Sequence, residues 1–233
     1  MELTKWLAGH RKVVVFGELG SGKTEIALNL ALQLHRETGK PVRFMDMDQT
    51  KPMYRARDVQ EKLEAQGVTV VADEQFMDAP TVAPGVREKM EDDVYTIMDV
   101  GGSFHGALNM GQFSWIIRHV GALVLYVINP YRPFSDSTEH ISQTMAGILA
   151  CCHLNRVSLI SNPFAGEDTT LEDVLEGHTA LRRRVAPLQL PITAVVVPEA
   201  LHEEAAAAIQ EPCFAVTPFL PYVLNPIPTD SSQ

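Results

Sequence analysis

Between residues 13 and 24 the chain reads Val13-Val14-Val15-Phe16-Gly17-Glu18-Leu19-Gly20-Ser21-Gly22-Lys23-Thr24, four apolar β-formers running into a glycine-rich loop and then Lys-Thr. The spacing Gly17-x-x-x-x-Gly22-Lys23-Thr24 is that of a phosphate-binding loop, which imposes a strand–loop–helix unit and with it an α/β fold. The loop glycines let the backbone turn tightly and come close to a polyanion with no Cβ in the way. The freed N–H groups and the N-terminus of the following helix then converge where a β-phosphate would sit. Directly afterwards Ile26, Ala27, Leu30, Ala31 and Leu34 recur at helical spacing, the context that separates this motif from a chance match. The run Gly17, Glu18, Leu19, Gly20, Ser21, Gly22, Lys23, Thr24 and Glu25 is therefore predicted to bind a nucleotide. Lys23 would reach its β- and γ-phosphates, and the Thr24 hydroxyl would hold Mg²⁺.

Apolar strand-like runs recur down the chain at 12–16, 42–47, 68–72, 95–100, 122–129, 156–162, 192–197 and, more weakly, 213–217. Helical patterns occupy 24–37, 54–66, 135–153, 171–185 and 199–209, with Gly39, Gly67 and Gly121 placed to end helices before the next strand. Alternation of this kind predicts a three-layer α/β/α P-loop NTPase fold with a mostly parallel central sheet of about seven to eight strands. Residues 1–217 read as one nucleotide-binding domain. The acidic stretch 73–93, with Pro80 and Pro84, reads as a loop with at most a short helix at its end. From 218 to 233 the prolines at 218, 221, 226 and 228 predict an extended tail that packs along the surface or docks a partner.

A formal charge of −10 argues against a broad electrostatic grip on nucleic acid or on an anionic membrane. The triplet Arg182-Arg183-Arg184 reads as a solvated helix face. No apolar run is long enough to span a bilayer, and Met1-Glu2-Leu3-Thr4-Lys5 leads into charge rather than a signal-peptide core, so a cytoplasmic protein is expected. Cys151, Cys152 and Cys213 are odd in number and fit no metal-ligand spacing, which leaves neither a disulfide framework nor a zinc site.

In an open parallel sheet ligands gather at the carboxyl ends of the strands. The second run ends Met45-Asp46-Met47-Asp48-Gln49, where alternation puts both carboxylates on one side, an arrangement that a cation relieves. The fourth ends Asp99-Val100-Gly101-Gly102, which fits a Walker B carboxylate holding Mg²⁺ and a switch glycine offering its N–H to the γ-phosphate. After the fifth, Arg132 lies beside the ligand edge and is either an ordinary αβ-loop residue or one that reaches phosphate or a partner subunit. His105, behind the switch, reads as an ordinary loop histidine. The cluster Phe104, Phe113, Trp115, Ile116 and Ile117 reads as core, or where exposed as a nucleotide-sensitive partner surface.

Taken in order, the glycine-rich loop, Asn29-Leu30-Ala31, Asp46-x-Asp48-Gln49, Asp99-x-Gly-Gly and Asn162 closing the sixth run resemble the MinD/ParA/CooC group of P-loop ATPases, in the SIMIBI class, over residues 12 to 211. The resemblance implies an ATP- and Mg²⁺-dependent switch, a homodimer, and a client protein, which in this group ranges from metalloenzyme activation to cell division and DNA partition. Lys23, Asp48 and Asp99 would be catalytic, with Asp48 positioning the attacking water. Thr24, Asp46 and Asp99 would surround the metal, and Asn162 and Pro198 would lie around the base. One departure stands out: Glu18 occupies the place of the group's signature lysine, so the lysine-bridged form of dimer does not transfer. The Asn-Lys-x-Asp guanine reader is also absent, since the site reads Asn162-Pro163-Phe164-Ala165, which favours ATP over GTP. Without a partner hydrolysis is expected to be slow. Rival readings are a regulatory nucleotide-binding module with negligible hydrolysis and a small-molecule kinase on the same fold.

Overall fold

A computed structural model describes residues 2–47, 60–71, 85–102 and 104–220. Eight strands form one sheet: β1 Lys12–Gly17, β2 Val42–Asp46, β3 Val68–Val71, β4 Tyr95–Asp99, β5 Leu123–Ile128, β6 Ser158–Ser161, β7 Ile192–Pro198 and β8 Cys213–Val216. Their order across the sheet is β3-β2-β4-β1-β5-β6-β7-β8, and every pairing is parallel. Nine α-helices are present among the described residues: α1 Leu3–Trp6, α2 Lys23–Thr38, α3 Gln60–Glu64, α4 Val86–Glu91, α5 Phe104–Gly111, α6 Ser114–His119, α7 Thr138–Cys151, α8 Leu171–Val185 and α9 His202–Ala208. The three-layer α/β/α fold read from the sequence is the fold observed.

β1 shows why both faces are covered. Val13 and Val15 point into a core closed by α1 and α2, whereas Val14 and Phe16 point into the opposite core with Met110, Ile141 and Met145. All six residues of β1 are buried. A strand buried on both faces must read as a continuous apolar run, which is how its neighbours read too. Gly39 closes α2 in the left-handed region at φ 64° and donates its N–H to His35 O at 2.8 Å.

The expected strands fall within two residues of those observed. The helices differ more. Region 135–153 is a 3₁₀ turn at Pro133–Ser135 followed by α7, because the Ser137 hydroxyl accepts from His140 N and caps the helix there. Region 199–209 likewise splits into a 3₁₀ turn, Glu199–Leu201, and α9. The short helix at the end of the acidic stretch is α4. Of the pattern at 54–66 only residues 60–66, which hold α3, lie within the described residues, and the tail beyond Leu220 lies outside them. The arginine triplet is not simply a solvated face. Arg184 donates to Pro130 O at 3.0 Å and Ser135 O at 2.8 Å, and Arg182 pairs with Glu211, leaving Arg183 exposed.

Candidate nucleotide-binding site

The glycine-rich loop leaves β1 in the middle of the sheet and enters α2 through Gly22, whose φ of 88° is a conformation natural only to glycine. Lys23 opens that helix and is 2% exposed. Thr24, beside it, donates its hydroxyl to Asp99 Oδ2 at 2.6 Å. Asp99 is the last residue of β4 and is fully buried; Val15 of β1 and Asp46 of β2 are its register partners on either side. The three residues expected at the metal, Thr24, Asp46 and Asp99, thus converge at the carboxyl ends of β1, β2 and β4. Asp48, expected to position water, lies outside the described residues.

Gly102 packs directly on the loop. A Cβ built there would stand 2.8 Å from Glu18 C, Gly17 O and Leu19 N, so a side chain at this switch position would collide with backbone. Asn162 grips the loop from the other side, its Nδ2 donating to Ser21 O at 2.7 Å. The fit is tight enough that a Cβ on Gly22 would meet that same Nδ2 at 2.3 Å. Pro198 ends β7, and the neighbouring Glu199 accepts from Thr217 Oγ1 at 2.5 Å. Leu19 is 64% exposed at the tip of the loop.

Glu18 is half-buried. Burial raises its carboxyl pKa, against the opposing pull of the Leu19 N–H and of the Lys23 charge. Its Oε1, the Ser21 hydroxyl and the Tyr126 hydroxyl are buried polar atoms with no hydrogen-bond partner among the described residues. Folded chains rarely leave such atoms unsatisfied, so three around one loop mark it as more than a structural turn.

Sequence reasoning missed a ladder along α2. Glu25 accepts from Phe219 N at 2.5 Å and Leu220 N at 3.1 Å, Asn29 exchanges two hydrogen bonds with Thr217, and Gln33 Nε2 donates to Ala215 O at 2.6 Å. Glu25, Asn29 and Gln33, at i, i+4 and i+8 and two of them inside the otherwise apolar run 26–34, were the available signal. They seat the end of β8 and the start of the tail beside the phosphate loop. Among the described residues no cluster of three His, Cys, Asp or Glu forms a metal centre, and all three cysteines are free. The His105 side chain is not among those described. Phe113, Ile116 and Ile117 are core, while Trp115 is 52% exposed and stacks on His119.

No protein-family model matches the chain, and no curated protein matches it either. Solved structures do. The cell division protein FtsY of Thermotoga maritima is 22% identical with a TM-score of 0.51, covering 82% of this chain and 63% of that one. Chloroplast FtsY from Physcomitrella patens is 19% identical with a TM-score of 0.50, covering 81% and 59%. The signal recognition particle receptor FtsY from Elizabethkingia anophelis in complex with GDP is 20% identical, also at 0.50, covering 79% and 56%. The chain thus spans under two thirds of the length of these FtsY chains. The likeness is one of fold, a three-layer P-loop architecture. No helix among the described residues is long and apolar enough to cross a membrane.

Proposed function

We propose that this chain is a Mg²⁺-dependent nucleoside triphosphate switch of the SIMIBI class, similar to the MinD/ParA/CooC group, that binds and slowly hydrolyses ATP to control a partner protein. The observation that carries this reading is the 2.6 Å contact between Thr24 and the buried Asp99 at the foot of a glycine-rich loop roofed by Gly102. Thr24 and Asp99, with Asp46 in register, are hard oxygen donors of the kind Mg²⁺ takes, the remainder coming from phosphate and water. When bound, the ion neutralises charge on the β- and γ-phosphates. Lys23 and the loop N–H groups hold the phosphates and stabilise charge that grows during transfer. Gly102, resting on Glu18 and Leu19, is placed to sense the γ-phosphate and pass its presence to α5. Asp48 orients water, and the product is inorganic phosphate.

We favour ATP because no lysine or aspartate follows Asn162 in the manner of a guanine reader. GTP stands as the second reading, supported by the GDP named with one of the FtsY structures. A homodimer through a surface other than a lysine bridge, and a client protein such as a metalloenzyme, complete the proposal.

Calorimetry with ATP and GTP in the presence of Mg²⁺, paired with light scattering, tests it. Micromolar binding of one nucleotide with phosphate release supports a switch enzyme. Binding without release, even with candidate partners, supports the regulatory module. No binding of either would overturn the reading.

A further inference from the structure

Arg132 lies in the loop after β5, the strand beside β1 on the side away from β4. Its Nε donates to Gly20 O at 3.0 Å. A Cβ built on Gly20 would stand 3.4 Å from Nε, 3.7 Å from Cδ and 3.8 Å from Cζ, so the end of the side chain lies across the backbone of the phosphate loop. The segment that carries it is held at many points. Asn129, 1% exposed, accepts from Tyr131 N at 2.9 Å and donates to Phe164 O at 2.9 Å. Tyr131 donates its hydroxyl to Asp173 O at 2.5 Å, and Arg184 ties down the carbonyls of Pro130 and Ser135. A long cation is thereby pre-placed, and little of its freedom remains to be lost when a ligand arrives.

Direction follows from the sheet order. The proposed metal and γ-phosphate groups, Asp99 and Gly102, follow β4 on one side of β1, so the nucleoside must leave the loop toward β5 and β6. On that side Asn162 holds Ser21 O, and the residue after it is Pro163, which carries no charge. Arg132 brings a cation to this edge from the neighbouring loop, with Nε engaged by Gly20 and no hydrogen-bond partner for either Nη among the described residues.

On the reading that the loop binds a nucleoside triphosphate, we propose that Arg132 is a nucleoside-binding residue whose planar guanidinium forms a stacking platform for a purine base. A flat, weakly hydrated cation suits an aromatic face better than an ammonium does.

The full chain and its Arg132→Ala and Arg132→Lys variants would be titrated by calorimetry with ATP, GTP, CTP and inorganic tripolyphosphate, all with Mg²⁺. For Arg132→Ala the expected result is about a tenfold loss for the favoured purine nucleotide. The loss for CTP should be clearly smaller, so the purine-to-pyrimidine ratio falls, and tripolyphosphate should compete as it does with the parent. Arg132→Lys keeps a donor for the Gly20 carbonyl but loses the plane, and should recover little of the purine preference. An unchanged ratio overturns the proposal, as does an equal loss for every phosphate ligand, which would mean that Arg132 only shapes the loop. Full recovery in Arg132→Lys overturns it as well. Failure of the parent to bind any nucleotide is a different result and sinks the phosphate-loop reading itself.

Discussion

Two buried lysines mark the two ends of β1, and the polar groups around them differ. Lys12, at the start of the strand, is 5% exposed and donates to Lys89 O, Asp92 Oδ1, Val94 O and Thr96 Oγ1 at 2.6 to 3.1 Å. Arg43 joins it on Asp92 at 2.7 Å. Although burial works the other way, the hydrogen bonds from Arg43 and Lys12 hold the Asp92 carboxyl down at about 2. This end of the sheet is a closed polar network. At the other end Lys23 stands beside a loop whose Glu18 Oε1 and Ser21 Oγ are buried with no hydrogen-bond partner among the described residues. Complete satisfaction signals a structural role, and its local failure signals a site prepared for a ligand.

Paired substitutions would break or sharpen this contrast. Lys12→Met should leave Asp92 and three oxygens short of a donor and lower unfolding stability by ~2–3 kcal/mol, a buried pair discounted for the partial exposure of Asp92. Its nucleotide affinity should stay within about twofold of the parent, a change worth under ~0.5 kcal/mol. Lys23→Ala should do the reverse, losing about a hundredfold or more in nucleotide affinity, which is ~2.7 kcal/mol, while the urea midpoint moves little. Urea unfolding and calorimetry on both variants decide the matter. If Lys12→Met lost binding, or Lys23→Ala unfolded the chain, the division between the two ends would collapse.

Next in size is Asp99→Asn. The amide can still accept from Thr24 but carries no charge for a cation, so phosphate release should drop by about a hundredfold or more while nucleotide still binds. A steady-state phosphate assay across a Mg²⁺ series reads this directly, and an unchanged Mg²⁺ dependence would remove Asp99 from the metal site. Asn162→Ala comes third. It removes the hydrogen bond to Ser21 O and should weaken nucleotide binding by about fivefold to tenfold, near the ~1 kcal/mol of a single neutral hydrogen bond. Equal loss for nucleotide and tripolyphosphate is expected if Asn162 acts through the Ser21 carbonyl, whereas a larger loss for nucleotide would place it at the base.

What the sequence made legible follows from how locally each feature is encoded. The phosphate loop and the strand ends at Asp99 and Asp46 could be read because motif and apolar run are contiguous, and a parallel sheet buried on both faces writes its strands plainly. The helices α5 and α6 escaped because they are only 8 and 6 residues long, too few turns for a helical period to stand out. Asn162 was found, but its contact was not. Only the fold shows that its amide meets the Ser21 carbonyl, 141 residues away in sequence. Arg132 over Gly20, Glu25 beneath Phe219 and Arg184 under the β5 loop are all contacts of this long-range kind, for which a single sequence carries residue types but no distances.

A third buried polar group lies between the two extremes, satisfied like Lys12 yet adjoining the site like Lys23. His178 of α8 is 3% exposed, with Nδ1 3.2 Å from Ser161 Oγ and Nε2 3.2 Å from Glu211 Oε2. Ser161 is the residue before Asn162, so this chain of hydrogen bonds backs the strand end that grips the phosphate loop. Burial lowers the His178 pKa below its usual 6.5, outweighing the attraction of Glu211, with the Arg182 charge adding to the depression. The unfolded chain therefore binds this proton more readily than the native one once pH falls below about 6.5. The native state's advantage is whole above that value and is lost as pH falls from it toward the lowered native pKa. Between pH 7.5 and 5.5 the parent's melting temperature should accordingly fall further than that of His178→Gln. Glutamine keeps one donor and one acceptor in place of the ring and has no proton to gain. Parallel melting curves for the two proteins across that range would mean that His178 is not the titrating group, and would leave Ser161 and Asn162 supported by packing alone.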